Sequence, residues 1–283
     1  MSPRHVGLAA LSLCLLAAAS PLAKPGPRAE FPVADFARLP VLEGGRVKPV
    51  DSFARSSLLL IHGRQNLLVD GRPLSATEWL LDAAWRPEEA DTYKSFVIDE
   101  PDLLGLLGIE RGKTRRFAYW QVEPKRAEVR EQAARAEKIE SARRSRFQSA
   151  VIALDRHLEH YERVKNTFMV SGTQDPVAEL ALFSSAVPRA LKAVHGMGKA
   201  SAEDKRALKV LSGLLERAQF IAGAAAFKPL ARAAGQDADS WLSIGEAMTS
   251  PGGMAEPHTG LLAFAALGRA DKKGGAPTIA PSL

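Results

Sequence analysis

The chain has 283 residues, of which 46% are hydrophobic and 25% are charged, and its formal net charge is +6. This length and composition allow one or two globular domains with a sizeable core, and they exclude collagen-like and wholly disordered classes. The single cysteine, Cys14, lies in an apolar run near the N-terminus. A chain that loses this run has no thiol for disulfides, thiol catalysis or Cys-x-x-Cys chemistry.

The N-terminus has the layout of a secretory signal. Arg4 precedes an uninterrupted run of apolar and small residues at 6–19, and proline-rich sequence follows. We predict that residues 1–23 are a signal peptide cleaved after Ala19, or an N-terminal anchor formed by residues 6–23. Both alternatives place the remainder in the periplasm or another extracytoplasmic space. No second apolar run is long enough to span a membrane, which excludes a multi-pass protein for this chain.

A proline-rich linker is predicted at 24–38, followed by a small α+β module at 39–123. In this module the glycine pair at 44–45 predicts a turn, after which the chain is extended. We expect Asp51 or Ser52 to cap the helix that comes next, because their side chains can accept hydrogen bonds from its first amides. The same helix is expected to end at His62 and the glycine after it.

The remaining elements of this module are short. Asp70-Gly71 between apolar stretches predicts a tight hairpin, and Ser75 with Glu78 predicts a capping box that begins a helix. Two further strands are predicted near 96–98 and 117–120. These elements alternate too quickly for a parallel α/β sheet, so the module is assigned to the α+β class.

Residues 124–250 are predicted to form a helical hairpin or bundle, with its tip near Gly172. No glycine and no internal proline interrupt 124–168, which predicts one long charged helix. Its C-terminal half carries a heptad-like stripe with one polar member. The stripe consists of Phe147, Val151, Leu154, Leu158, Tyr161, Lys165 and Phe168. Residues 251–283 are expected to be a mostly flexible tail.

The predicted fold class is therefore mainly α with a small α+β N-terminal module. Its long charged helix packs in an antiparallel helical hairpin or bundle. On that helix His157 and His160 are three residues apart, and this spacing could place both rings on one face to hold Zn²⁺ or haem iron. Such a site needs further ligands, and no second His/Cys cluster is within reach by sequence. An exposed helix face is the favoured interpretation, and we assign no cofactor or metal to the chain itself.

No catalytic motif is recognised. Serine nucleophile elbows, phosphate-binding loops, G-x-G-x-x-G and H-E-x-x-H are absent from the sequence, so we predict that the chain is not an enzyme. Outside the cytoplasm, the positive charge fits anionic lipid headgroups or acidic proteins better than nucleic acid, for which no binding motif is present. The basic stretch 143–146 is expected to be a solvated face, with an anionic membrane surface as the alternative.

The most informative string is GRVKPVDSFAR at residues 45–55. It predicts a turn, an extended basic strand and an amphipathic helix with Phe53 facing inward. Three cations in it accompany one carboxylate, Asp51, and this excess suits an anionic partner. These cations are Arg46, Lys48 and Arg55. A helix entry with no binding role would also explain the string.

This string resembles the segment GR-x-KP-(L/V)-D-(T/S)-FAR in the extracytoplasmic part of bacterial system II cytochrome c assembly proteins of the ResB/ResC (CcsA/CcsB) type. Residues 74–82, LSATEWLLD, are similar to a helix of that family, and residues 96–109 to a segment that follows it. The resemblance covers about residues 39–122. It implies a role in delivering haem, or in organising the machinery that ligates haem to apocytochrome c outside the cytoplasmic membrane.

The family's multi-pass membrane part, with its tryptophan-rich haem-handling loop and histidine ligands, has no counterpart in this sequence. The resemblance therefore implies a non-catalytic periplasmic component, or a detached soluble module, that docks on multi-pass membrane subunits and meets haem only through that complex. We predict that Arg46 and Lys48 make the contacts and that Asp51 and Phe53 position the helix. The full predicted patch is Arg46, Lys48, Pro49, Asp51, Phe53 and Arg55. The alternative is an envelope scaffold, unrelated to haem, that binds a helical partner through its coiled-coil hairpin.

Overall fold

The computed structural model describes residues 32–112, 114–168, 189, 201–231 and 241–249. The predicted leader, residues 24–31 of the predicted linker, the tip near Gly172 and the tail at 251–283 lie outside these ranges. In the described part of the linker, Val33–Arg38 forms a helix whose Phe36 is only 1% exposed, so this stretch belongs to the folded core. The mainly helical class with small antiparallel sheets in the N-terminal half is confirmed. None of the helices in the described ranges combines the length and the apolar character needed to cross a membrane.

The described helices vary from single turns to the two longest ones, α8 with 20 residues and α9 with 23. They are α1 (Val33–Arg38), α2 (Val50–His62), α3 (Ala76–Trp85), α4 (Pro87–Ala90), α5 (Pro101–Leu107), α6 (Tyr119–Val122), α7 (Arg126–Glu137), α8 (Arg146–Lys165), α9 (Ala202–Ala224) and α10 (Ile244–Thr249). The strands pair in chain order as two-stranded antiparallel ladders. They are β1 (Pro40–Glu43), β2 (Arg46–Pro49), β3 (Asn66–Val69), β4 (Arg72–Ser75), β5 (Phe96–Val97), β6 (Arg116–Phe117), β7 (Leu230–Ala231) and β8 (Trp241–Leu242).

Two tight hairpins begin the fold, and each leads directly into a helix. Gly44 and Gly45 have φ angles of 57° and 76°, which a two-residue turn with left-handed central residues requires. The β3–β4 hairpin has the same kind of turn at Asp70-Gly71. The predicted capping box at the start of α3 is confirmed, because the Ser75 side chain accepts from the amide of Glu78 and Glu78 accepts from the amide of Ser75.

Helix α2 begins without a side-chain cap. Its N-cap is Pro49, with φ −62° and ψ 148°, and no capping hydrogen bond is made. The expectation that Asp51 or Ser52 caps this helix is therefore wrong, since both lie within its first turn. Proline already fixes φ at a value suited to this junction, so the strand passes straight into the helix. The predicted C-terminal end is confirmed, because Gly63 is left-handed and donates to the carbonyl of Leu59.

The stretch predicted to be one long charged helix is divided into α7 and α8, which pack against each other as a hairpin. The Ser145 side chain caps α8 reciprocally with Gln148. The guanidinium of Arg144 donates to the carbonyl oxygens of Ile139 and Glu137 at 2.9 and 3.2 Å, which satisfies the end of α7. A Ser-x-x-Gln capping box therefore interrupts the helix although no glycine or proline is present.

One hydrophobic core connects the N-terminal elements with the helical hairpin. The stripe on α8 lies inside this core, where the exposed fraction of Val151, Leu154 and Leu158 is 3% or less. Tyr161 is also fully buried, and its ring meets that of Phe96 edge to face at 5.5 Å. The apolar face of α8 is thus covered by residues of this same chain.

The last described segment returns to the first hairpin. Leu42 and Lys228 exchange two backbone hydrogen bonds of 2.9 Å, which adds a bridge to the edge of β1. Phe227 packs edge to face on Phe53 of α2, with ring centroids 4.7 Å apart. Helix α10 approaches α9 so closely that a Cβ on Gly245 would lie 2.1 Å from a backbone oxygen of α9, so only glycine fits there.

Candidate functional site

The candidate site is the segment predicted to dock on a partner, residues 46–55, which comprises β2 and the first turns of α2; we call it the docking segment after that prediction. Arg46 lies next to the glycine turn and opposite Glu43 in the hairpin register. The Arg46 side chain is exposed and makes no ion pair within the described ranges. Val47 beside it is 47% exposed, which is high for a valine in a strand. The end of the hairpin thus presents one free guanidinium and one apolar side chain to solvent.

The other two cations of the docking segment are neutralised within the molecule. Lys48 Nζ donates to Glu43 Oε2 at 2.5 Å across the hairpin, and Arg55 Nε lies 2.7 Å from Asp51 Oδ2 one turn earlier on α2. The sequence-based charge balance counted one carboxylate and missed Glu43, which strand pairing brings to Lys48. The predicted excess of cations over carboxylates in this segment is therefore smaller than the sequence indicated, and Arg46 is the one of the three cations that makes no ion pair within the described ranges.

Two of the six predicted residues anchor the segment. Asp51 Oδ1 accepts a hydrogen bond of 3.0 Å from Thr77 Oγ1 at the start of α3, which ties the two helices together. Phe53 is 2% exposed and lies in the core. Pro49 is exposed at the junction of strand and helix. The segment is consequently a rigid surface rather than a flexible loop.

The structure places His160 beside this segment, whereas sequence reasoning favoured an exposed helix face for His157 and His160. The His160 ring centroid is 5.9 Å from that of Phe53, and its Nε2 is 2.9 Å from Ser57 Oγ on α2. Ser57 is 2% exposed, so this pair is a hydrogen bond between two helices and not an accessible nucleophile with its base. Among the described residues no group of three or more His, Cys, Asp or Glu could hold a metal ion.

Burial lowers the pKa of His160 to about 4, with further lowering by Arg163 and opposition from Glu43. The unfolded imidazole titrates near 6.5, so between these values the unfolded state binds more protons. The free energy of unfolding should therefore fall as pH decreases from 6.5 towards 4, and this contribution should be constant above 6.5. We expect His160→Gln to lose part of that slope when urea midpoints at neutral pH and at about pH 4.5 are compared.

Burial also lowers the pKa of His62 and His157, so some slope should remain in the His160 variant. His62→Gln is the matched comparison, because the His62 ring hydrogen-bonds the Ser95 carbonyl oxygen, whereas the His160 ring lies beside Phe53 of the docking segment. An unchanged slope in His160→Gln would refute the neutral, buried state of this imidazole.

Lys165, the polar member of the predicted stripe, has a partner that the sequence could not identify. It is 8% exposed, and its Nζ lies 3.0 and 2.7 Å from the two carboxylate oxygens of Asp91, 74 positions away. The Tyr161 hydroxyl donates to the same carboxylate at 3.0 Å. Lys165 Nζ also lies 4.5 Å from the centre of the Tyr119 ring. This network fixes the end of α8 against the N-terminal elements.

A second network joins the start of α7 to α8. Arg126 contacts Asp155, and its Nε donates to Glu162 at 2.7 Å. The Tyr119 hydroxyl donates to the same Glu162 oxygen at 3.2 Å, and burial together with that carboxylate raises the pKa of Tyr119. The two networks border a cavity of about 350 Å³ with the 59% exposed Trp120 at its wall. The charges around this cavity are largely satisfied by one another, so we assign them a supporting role.

A scan against protein-family models and a search of curated proteins give no match for this chain. The docking segment holds the exposed side chains of Arg46 and Val47 on a hairpin whose base is fixed by α2, α3 and α8. Such a surface can bind a partner, and its buried Ser57 and partly buried His160 are hydrogen-bonded to each other.

Proposed function

We propose that the chain is a non-catalytic extracytoplasmic component, or a detached soluble module, of the system II cytochrome c assembly machinery. It docks on the multi-pass membrane subunits of that machinery. One observation carries this proposal: the string that resembles the family folds as a single rigid unit, with Phe53 and Asp51 anchored inward and Arg46 outward. A segment that only began a helix would not need an exposed cation and an exposed valine at its hairpin end.

Docking through this surface requires a carboxylate and an apolar group on the partner. The Arg46 guanidinium can bind a carboxylate through two parallel hydrogen bonds, and Val47 adds apolar area beside it. Arg55 is more than half exposed but already holds Asp51, so it contributes charge at the rim. Haem is bound by the membrane subunits in this proposal, and it reaches the chain only through the complex.

The alternative of an envelope scaffold that binds a helical partner through its coiled-coil hairpin has less support. A coiled-coil partner needs a free apolar seam. The stripe on α8 is buried in the chain's own core, and the outward faces of α7 and α8 carry mainly charged residues. The large apolar side chains that α9 exposes are Leu208, Val210 and Phe220, whose spacing does not form a heptad seam. We therefore favour docking through the β1–β2 hairpin.

Co-purification from solubilised membranes tests the proposal. We expect Arg46→Glu to lower the recovery of the multi-pass subunit by at least about tenfold, because reversing a contact charge replaces attraction by repulsion. The exchange Glu43→Lys with Lys48→Glu is the matched control, since it retains the ion pair and the net charge of the hairpin. It should recover near wild-type amounts. Undiminished recovery with a folded Arg46→Glu chain would contradict docking at this surface.

A further inference from the structure

The turn between α7 and α8, residues 138–146, is the most basic part of the hairpin, and we call it the basic tip. It contains four cations and one carboxylate, Glu140. The cations are Lys138, Arg143, Arg144 and Arg146. All except Arg144 are exposed, and these three form no ion pair in the part of the chain that the structure describes.

The body of the hairpin differs from its tip in charge balance. Arg135 pairs with Glu131, and Arg156 Nη2 lies 3.2 Å from Glu137 Oε1. Arg126 is held by two carboxylates of α8, as described above. Because these cations are matched along the body, the positive potential of the hairpin is concentrated at its tip.

The basic tip is also fixed in shape. Arg144 turns back and binds carbonyl oxygens at the end of α7, and Ser145 caps α8. The Ser141–Arg143 stretch is a short 3₁₀ turn. The three exposed cations therefore stand on an ordered turn, which reduces the entropy lost when they bind a partner.

We propose that the basic tip binds anionic phospholipid headgroups at the membrane surface. Arginine and lysine both bind phosphate, and each basic residue near an anionic surface strengthens binding by about fivefold. Phospholipid is favoured over an acidic protein because the tip has no exposed large apolar side chain comparable to Val47, and protein interfaces need such area at their centre. His160, beside the docking segment, is about 20 Å along α8 from Arg146, so this contact is separate from the proposed docking surface.

Vesicle sedimentation of the full chain tests this proposal. We compare phosphatidylcholine vesicles with vesicles that contain about one third phosphatidylglycerol, at low and at high salt. The difference between the two compositions isolates the electrostatic contribution, since an apolar N-terminal run does not distinguish headgroup charge. We expect at least tenfold tighter binding to the anionic vesicles, lost at high salt. We expect this preference for anionic vesicles to fall at least about tenfold in the triple variant Lys138→Glu, Arg143→Glu, Arg146→Glu.

The matched control is Lys205→Glu, Arg206→Glu, Lys209→Glu, which makes the same charge change at exposed positions of α9. It should keep most of the preference. A triple glutamine variant of the basic tip serves if the glutamate variant unfolds. Equal binding to both vesicle types would overturn the proposal and leave an acidic protein as the occupant. Equal loss in the tip and control variants would also overturn it, because net charge alone would then explain the binding. Neither of these vesicle results depends on whether Arg46→Glu lowers the recovery of the multi-pass subunit, so failure of the lipid proposal can be distinguished from failure of the proposed function.

Discussion

Lys165→Met is expected to lower the free energy of unfolding by about 3 kcal/mol, because it leaves the Asp91 carboxylate largely buried without its cation. The Lys165 and Asp91 side chains are only 10% and 22% exposed, and Nζ contacts both carboxylate oxygens. Methionine fills similar volume, so the loss reports charge rather than a cavity. Urea unfolding measures it directly.

The double variant Lys165→Met, Asp91→Asn separates this effect from general damage to the core. With both charges removed, no buried carboxylate is left uncompensated, and we expect most of the lost stability to return. Tyr161 can still donate to the asparagine oxygen, as it does to Asp91. A single variant as stable as the wild type would show that solvent reaches Asp91 freely, against the burial described above.

Phe53→Ala is expected to destabilise the chain by about 3–5 kcal/mol. Its ring is 2% exposed and contacts Phe227 at 4.7 Å and His160 at 5.9 Å, so truncation opens a cavity where α2, α8 and the C-terminal segment meet. Thermal unfolding should show a decrease in midpoint of roughly 10 °C.

Phe53→Leu retains much of the buried volume and should lose clearly less stability than Phe53→Ala. Leu208→Ala is the exposed comparison, since Leu208 on α9 is 40% exposed and its truncation should cost little. If Phe53→Ala and Leu208→Ala have similar midpoints, Phe53 does not anchor the docking segment, and the surface would lose its rigid base.

Local signals in the sequence predicted the two hairpin turns and the start of α3, but not the start of α2, where Pro49 and not Asp51 or Ser52 is the N-cap. Glycine pairs and Asp-Gly dictate backbone conformation on their own, so both hairpin turns could be predicted. The box at Ser75 and Glu78 likewise acts within four residues. The break before α8 has the same kind of capping box, formed by Ser145 and Gln148. It was not predicted because the stretch contains no glycine or proline. Helix continuity was inferred from missing breakers, although a capping box can begin a new helix without them.

Contacts between distant residues could not be predicted in this way. Lys165 looked like an anomaly in an apolar stripe because Asp91 comes close only after α8 packs on the N-terminal elements. Likewise His160 looked like part of a solvated face because Ser57 lies 103 positions away. The charge of the docking segment depended on Glu43, which the hairpin register brings to Lys48. In each case tertiary pairing decides the chemistry, and a single sequence does not carry that information.

The proposed function and the proposed lipid contact assign different tasks to the two ends of α8. Near its C-terminal end His160 and Phe53 support the docking segment, while its N-terminal end carries the basic tip. A chain that held a membrane with one end could present the other to membrane-embedded subunits. The distance of about 20 Å along α8 between Arg146 and His160 allows variants at one site to leave the other intact.

The most direct test of the proposed function is haem staining of mature c-type cytochromes in cells whose only copy of the chain carries Arg46→Glu. We expect strongly reduced haem-stained cytochrome at an unchanged level of folded chain, and near wild-type staining with the Glu43→Lys, Lys48→Glu exchange. Normal staining in cells that contain the stable Arg46→Glu chain would contradict a role for this surface in cytochrome c assembly.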